Sequence, residues 1–222
     1  MEPTVWDRYH IHFWVLIGIG IYLLVLTIIY IVLKYALGKK LGPLWLYLSY
    51  LTWSLPFMPF GEITAYPRRR RMWLERSGLK KGHIYLEEGF GLGTSPILAS
   101  KIVGKDGLVY ALDHQPLNIA ILFIRFRIRG IKNIRLIFSD AADTGLKDKS
   151  IDTIFICDAF HEFTKKRNTV LELFRVLRPG GNFAILEENK RYADSAQKII
   201  EEEKLFNLIE KEKVFMKFVK QG

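Results

Sequence analysis

A chain of 222 residues, half of them hydrophobic and 14% aromatic, has room for one folded domain with an appendage and is too apolar to be disordered. Its single cysteine, Cys157, excludes an internal disulfide and a cysteine zinc site. The net charge of +10 is uneven: residues 1–80 hold 10 Lys/Arg against 4 Asp/Glu and residues 81–222 hold 23 against 19, so the basic excess does not surround the C-terminal part as it does in most nucleic-acid enzymes.

No charged residue occurs from Tyr9 to Leu33, and Ile11–Leu33 is almost wholly apolar. A bilayer core of ~30 Å needs about 20 such residues as a helix. Tyr9, Trp14 and Tyr30 lie toward the ends of the run, where aromatic rings favour the interface. A signal peptide would have an apolar core of roughly 7–15 residues and a small-residue cleavage site. Here Lys34, Lys39 and Lys40 follow instead, so a retained transmembrane helix is expected over 11–33. Arg8 alone precedes the run, which puts a short N-terminus (1–10) outside and the rest on the cytoplasmic side.

Residues 34–80 are expected to form an interfacial helix and a basic linker. Pro43 and Pro56 bracket Leu44–Leu55, which as a helix reaches ~18 Å and is too short to span. The alternatives for 41–60 are a helix packed on the following domain, or a second span that returns the N-terminus inside. The run Arg68, Arg69, Arg70, Arg71 suits anionic lipid headgroups.

From His83 onward strand-like and helical runs alternate. His83–Glu87 reads as a strand, Pro96–Ile102 as a helix, Gly107–Leu112 as a strand and Leu117–Arg129 as a helix closed by Gly130. Asn133–Phe138 and Ile151–Cys157 read as strands, and Lys166–Leu177 as a helix that stops at Arg178-Pro179-Gly180-Gly181. Asn182–Leu186 is a strand and Tyr192–Leu205 a helix; Asn207–Glu210 and Val214–Val219 form a closing hairpin. The pattern predicts an α/β domain over 81–222, doubly wound around a parallel sheet. Ligands of such sheets bind beyond the carboxyl ends of the strands. That rule selects Glu87, Asp113, Asp140, Asp158, His161 and Glu162.

Glu87-Glu88-Gly89-Phe90-Gly91-Leu92-Gly93 is a glycine-rich turn between strand and helix; dinucleotide-binding domains use a similar one. Asp113 follows 20 residues after Gly93, Asp140-Ala141 ends the third strand, and Leu177-Arg178-Pro179-Gly180-Gly181 precedes the fifth. Together these resemble the motifs of class I S-adenosylmethionine (SAM)-dependent methyltransferases. Leu79-Lys80 and Gly82 resemble the lead-in of the type 11 branch, which includes ubiquinone and menaquinone methyltransferases. The resemblance covers about residues 66–222. It implies a Rossmann-like seven-stranded sheet with an antiparallel C-terminal hairpin, and SAM as cofactor.

By position, the resemblance puts Glu87 at the methionine amino end, and Gly89 and Gly91 against the SAM body. Asp113 would hold the ribose, His114 border the adenine, and Asp140 and Ala141 bind adenine edges. Asp158 would lie near the methyl group. Glu88 departs from the family's small or apolar residue; pairing with a nearby Lys or Arg is the favoured reading, a direct place in the site the other. His161 is the base candidate, because histidine titrates near neutral pH; a helix-start or supporting role is the alternative. Glu162 is expected to be an acid in the first turn of a helix. The chemistry needs no metal.

Methylation of exocyclic amines, pyrimidine C5 chemistry and arsenic methylation lack their sequence marks, so nucleic acid is not expected as a partner. Only Glu187–Arg191 lie between the fifth strand and the last helix, so a substrate lid must come from 41–71 or from the membrane. Leu117–Arg129 has Ile, Leu or Phe nearly all round, which suits the bilayer, the anchor, a second subunit or an unusually buried helix. The acceptor is expected to be lipid-like: an isoprenoid quinone precursor, a polyprenyl compound or a phospholipid headgroup. The alternatives are a membrane-associated protein, a soluble small molecule, or a SAM-binding protein that transfers nothing.

Overall fold

The computed structural model describes residues 66–221, together with Tyr22, Val25 and Ile28, each helical with an exposed side chain. The expected interfacial helix lies outside the described residues, as does the expected transmembrane helix apart from those three positions. Among the described residues no helix is long and apolar enough to cross a membrane.

One compact unit begins at Ala65. Helix α1 (Tyr66–Arg76) opens it and carries the arginine run. Then follow β1 (Ile84–Glu88), α2 (Thr94–Val103), β2 (Leu108–Asp113), α3 (Pro116–Ile128), β3 (Ile134–Phe138) and β4 (Ile151–Cys157). A short 3₁₀ turn at Phe160–Glu162 leads to α4 (Lys166–Val176), β5 (Leu177–Leu186), α5 (Lys190–Glu202), β6 (Phe206–Glu212) and β7 (Phe215–Lys220). The strand order is β3-β2-β1-β4-β5-β7-β6, with the two pairings made by β7 antiparallel and the other four parallel. The sheet is therefore the expected seven-stranded, doubly wound one with a C-terminal hairpin.

The two faces have separate cores. Leu86, Ile154, Ile156, Phe183 and Ile185 point toward α4 and α5, while Tyr85, Val109, Phe155, Ala184 and Leu186 point the other way. This is the period-two alternation of strands buried on both sides. Trp73 of α1 joins the second core, stacked on Phe215 at 4.9 Å. Arg76 lies over both rings and pairs with Glu210 and Glu212. The arginine run thus belongs to a helix fixed to the domain, where the charge pattern alone suggested a linker.

Element ends moved for local reasons. The Asn189 side chain caps α5 by accepting from the Arg191 N–H at 2.9 Å, which starts that helix before Tyr192. Lys204, at φ +56°, follows its end, so Leu205 is left out. Arg178–Gly181 sit inside β5 as an irregularity: the register jumps from Ile151↔Leu177 to Thr153↔Asn182. Helix α3 is not a wholly buried helix. Ile121, Leu122 and Phe126 face the core, but Phe123, Ile124 and Ile128 are exposed.

Candidate active site

A cleft of about 130 Å³ opens at the carboxyl ends of the strands, bordered by Gly89, Asp113, His114, Asp140, Ala141 and Phe163. The turn after β1 forms one wall. Gly89 and Gly91 adopt φ +69° and +55°, which glycine reaches at least cost. A Cβ on Gly89 would meet that of Ala159 at 2.5 Å, whereas one on Gly91 would meet nothing within 4 Å. The first glycine thus allows two loops to touch, and the second leaves open space.

Asp113 is buried and ties this turn to the next element. Its Oδ2 accepts from the Gly91 N–H at 3.2 Å and from Asn118 Nδ2 at 3.0 Å; its Oδ1 accepts from the Gln115 N–H at 2.9 Å. Asp140 faces it from the end of β3. It accepts from the Ala142 N–H at 2.8 Å and from Lys165 Nζ at 3.3 Å. The Ala142 bond, more than Lys165, holds the Asp140 carboxyl below the usual range. His114 is an exposed wall of the cleft and Ala141 a buried one.

The two adjacent glutamates of β1 point to opposite faces. Glu87 is buried under α1, outside the cleft lining, and accepts from Tyr85 Oη at 2.9 Å. Burial pushes its carboxyl up to about 7, against the opposing effects of Arg70, Tyr85 and Ser95. Arg70 also reaches Cys157 Sγ, and burial pushes that thiol up to about 12.

Glu88 corrects an expectation. Both of its carboxyl oxygens are fully buried and have no hydrogen-bond partner, and no Lys or Arg pairs with it among the described residues. Its side chain faces α4, where the charges that act on it are those of Glu172 and Asp140. Burial first, then these two acids, push it well above the usual range and favour the neutral form.

Glu162, Phe163 and Thr164, which follow β4, border the cleft, whereas Asp158, His161 and Glu187 lie at the ends of β4 and β5 outside its lining. Asp158, exposed and at φ +51°, accepts from the Glu188 N–H at 3.2 Å. His161 Nδ1 lies 2.7 Å from Glu187 Oε2, and Glu187 Oε1 accepts from the His161 N–H at 3.2 Å. The imidazole stacks on Tyr192 at 4.4 Å with 7° between planes. A carboxylate bonded to Nδ1 fixes the tautomer and leaves Nε2 as the basic nitrogen. Glu187 is fully buried; burial raises its pKa and His161 draws it back.

Sequence reading missed Glu187, although the strand-end rule that selected Asp158 applies equally to the residue after β5. Glu162 closes the 3₁₀ turn and borders the cleft, four residues before α4, so it is not in the first turn of a regular helix. Donor atoms of Asp158, His161 and Glu187 lie within 4.8 Å of one another. Both Glu187 oxygens are already engaged by His161, so the trio is arranged as a supported imidazole.

The chain is similar to known methyltransferases in sequence and in fold. A family profile described as "Methyltransferase domain" matches residues 86–185. The ubiquinone/menaquinone biosynthesis C-methyltransferase UbiE of Azotobacter vinelandii is 30% identical over 122 residues, covering 54% of this chain and 48% of the relative. The UbiE of Pasteurella multocida is 28% identical over 131 residues, covering 59% and 49%. The chain thus spans about half the length of the curated relatives it matches. A SAM-dependent methyltransferase from Aquifex aeolicus superposes with a TM-score of 0.60 at 27% identity, covering 68% of this chain and 88% of that one. The [4+2]-cyclase SpnF, at TM-score 0.58 and 18% identity over 66% of this chain and 60% of its own, shares the fold. Residues 86–185 thus match a methyltransferase domain, and the fold is similar to that of SAM-dependent methyltransferases.

Proposed function

We propose that this chain anchors to a membrane through Ile11–Leu33, faces the cytoplasm, and transfers the methyl group of SAM to a lipid-like acceptor. Such an acceptor is an isoprenoid quinone precursor, a polyprenyl compound or a phospholipid headgroup. The observation that carries the catalytic part is a cleft bordered by a glycine turn and by the buried acid bonded to it, Asp113, at the strand ends where the oriented His161–Glu187 pair also lies. These residues fit SAM. Gly91 leaves room beside the turn, and Asp113 lies on the cleft floor where ribose hydroxyls need an acceptor.

In this reading Asp113 holds the ribose and His114 borders the adenine, whose edges meet Asp140 and Ala141. Gly89 and Gly91 lie along the SAM body, Glu87 serves the methionine amino end, and Asp158 stands near the methyl group. SAM supplies a methyl group activated on a sulfonium. His161 Nε2 takes the proton that a hydroxyl or an acidic carbon must lose, and Glu187 keeps the ring in place. Alignment of the acceptor supplies most of the rest.

The lipid part rests on the apolar run at 11–33 and on the names of the relatives. The acceptor side also lacks a lid after β5, because only Glu187–Asn189 separate it from α5. Arg69, Arg70 and Trp73 of α1 instead border a small hollow with Leu186 and Glu188.

The test is incubation of the full chain with methyl-labelled SAM and a total lipid extract. Label in the organic phase supports the proposal. Label confined to protein or to water-soluble products moves the acceptor to those classes, and SAM binding with no transfer rejects catalysis. Removal of residues 1–40 should release the protein from membranes if 11–33 is its anchor.

A further inference from the structure

We infer that the outer flank of α3 and the turn into β3 form a docking surface for an anionic lipid headgroup layer. Ala120, Phe123, Ile124, Arg127 and Ile128 recur at helical spacing on the side of α3 turned away from the sheet, and all five are exposed. The large apolar side chains there are 49% exposed at Phe123, 55% at Ile124 and 78% at Ile128. Ala120–Ile128 thus presents apolar bulk to the outside while Ile121, Leu122 and Phe126 fill the core behind it. Arg127 lies 5.7 Å from the Phe123 ring centroid, so cation and apolar surface are interleaved.

Charge decides the occupant. No Asp or Glu occurs from His114 to Ser139, a stretch that holds Arg125, Arg127, Arg129, Lys132 and Arg135. Arg125 is buried against the Leu92 carbonyl and Arg129 donates to the Arg125 carbonyl at 3.0 Å, so neither is counted as a surface contact. Arg127, Lys132 and Arg135 are exposed beside the apolar residues. β3 is one of the two edge strands of the sheet, and among the described residues no further strand covers this flank.

A second copy in a two-fold interface would bring the same cations face to face with no acid to meet them. A phosphate backbone would satisfy the cations but leave three large apolar side chains against a polar partner. A headgroup layer satisfies both: anionic groups meet Arg127, Lys132 and Arg135, and Phe123, Ile124 and Ile128 enter the boundary with the acyl chains. The cleft opens at the carboxyl ends of the strands, whereas Lys132 lies just before β3 begins. Docking by this flank therefore leaves SAM access from water.

This inference rests on the membrane reading above only for where the chain resides; its test is local. A fluorescent environment-sensitive probe is attached at Ala120→Cys in the full chain carrying Cys157→Ser. The protein is placed in nanodiscs of neutral phosphatidylcholine and in discs with 30% phosphatidylglycerol. The expected result is a blue-shifted emission at least twice as intense in the anionic discs, reversed by 0.5 M salt. Arg127→Glu with Lys132→Glu should abolish the difference while SAM affinity stays within twofold, which shows that the fold is kept.

Identical emission in the two discs overturns the inference even if the chain stays anchored in both. A response to added RNA or to protein concentration, with none to anionic lipid, overturns it in favour of nucleic acid or self-association. Loss of the chain from neutral discs tells against the anchor at 11–33 and leaves the probe's anionic response as the measure of this surface.

Discussion

Glu88→Leu should stabilise this protein, and by more at pH 7 than at pH 5. Glu88 lies at the end of β1 with both oxygens buried and without a hydrogen-bond partner. Leaving a buried polar group unsatisfied costs about 1–3 kcal/mol, and leucine nearly preserves the volume. A second contribution depends on pH. The folded state raises the Glu88 pKa, so folding favours the protonated form. Its share of stability is therefore intact below the unfolded carboxyl value and falls as pH rises toward the raised one. The fall is about 1.4 kcal/mol per pH unit while pH lies between the two values.

From pH 5 to pH 7 the advantage of Glu88→Leu should therefore widen by up to about 2.7 kcal/mol. For a folded unit of this size that is roughly 5–11 °C in Tm. Thermal unfolding followed by circular dichroism at the two pH values measures it. Glu88→Gln, which cannot ionise but keeps the polar group, should show the widening without the full gain at pH 5. An equal Tm difference at both pH values, or a lower Tm for Glu88→Leu at pH 7, refutes the reading of a neutral, unpartnered acid.

Asp113→Ala should weaken SAM binding roughly 10–100-fold by calorimetry, because it removes a charged acceptor and frees the Gly91 turn; an unchanged Kd would sink the ribose assignment. His161→Ala should lower kcat by about 10²–10⁴ with SAM affinity nearly constant, and Glu187→Gln should show the same split in smaller degree. Retained turnover in both variants would make the pair structural. Trp73→Ala should cost about 3–5 kcal/mol in urea unfolding, since the indole is buried and stacked on Phe215. A loss below about 1 kcal/mol would detach α1 from the domain, because such a loss is the surface-substitution scale.

The sheet was legible because buried parallel strands write themselves as short apolar runs, and because Gly, Pro and Asn punctuate them. Ile151–Cys157 was found residue for residue. Of the residues the strand-end rule selected, Asp113, Asp140 and Glu162 border one cleft, together with His114 and Ala141, whereas Glu87, Asp158 and His161 lie outside its lining. Partnerships were not legible, because they depend on which face a residue takes and what lies across it. Glu87 and Glu88 are neighbours in sequence, yet one meets Tyr85 and Arg70 and the other meets only acids. The role of Glu187 needed the 3₁₀ turn after β4, whose geometry no periodicity announces. Arg68–Arg71 read as part of a basic linker because the tie that fixes their helix, Trp73 on Phe215 with Arg76 above, joins chain segments 142 residues apart in sequence (215 − 73).

That tie bears on the acceptor. In the proposed function the connection after β5 is too short to cover the acceptor side, and α1 borders the hollow next to Leu186 and Glu188. The same helix carries Arg70, whose charge acts on Glu87 and Cys157 at the ends of β1 and β4. If α1 covers the acceptor side as proposed, its displacement would alter two things together: that cover and the charge state of Glu87, whose carboxyl is pushed up to about 7 with Arg70 opposing its burial. Loss of Arg70 should raise the Glu87 pKa further and leave the carboxyl neutral at pH 7. Arg70→Gln should then weaken SAM binding in a pH-dependent way, with the loss greatest near pH 7 and smaller at higher pH, where Glu87 regains its charge. Calorimetry at pH 6, 7 and 8.5 measures this, and a pH-independent loss would assign Arg70 to direct contact with the ligand instead.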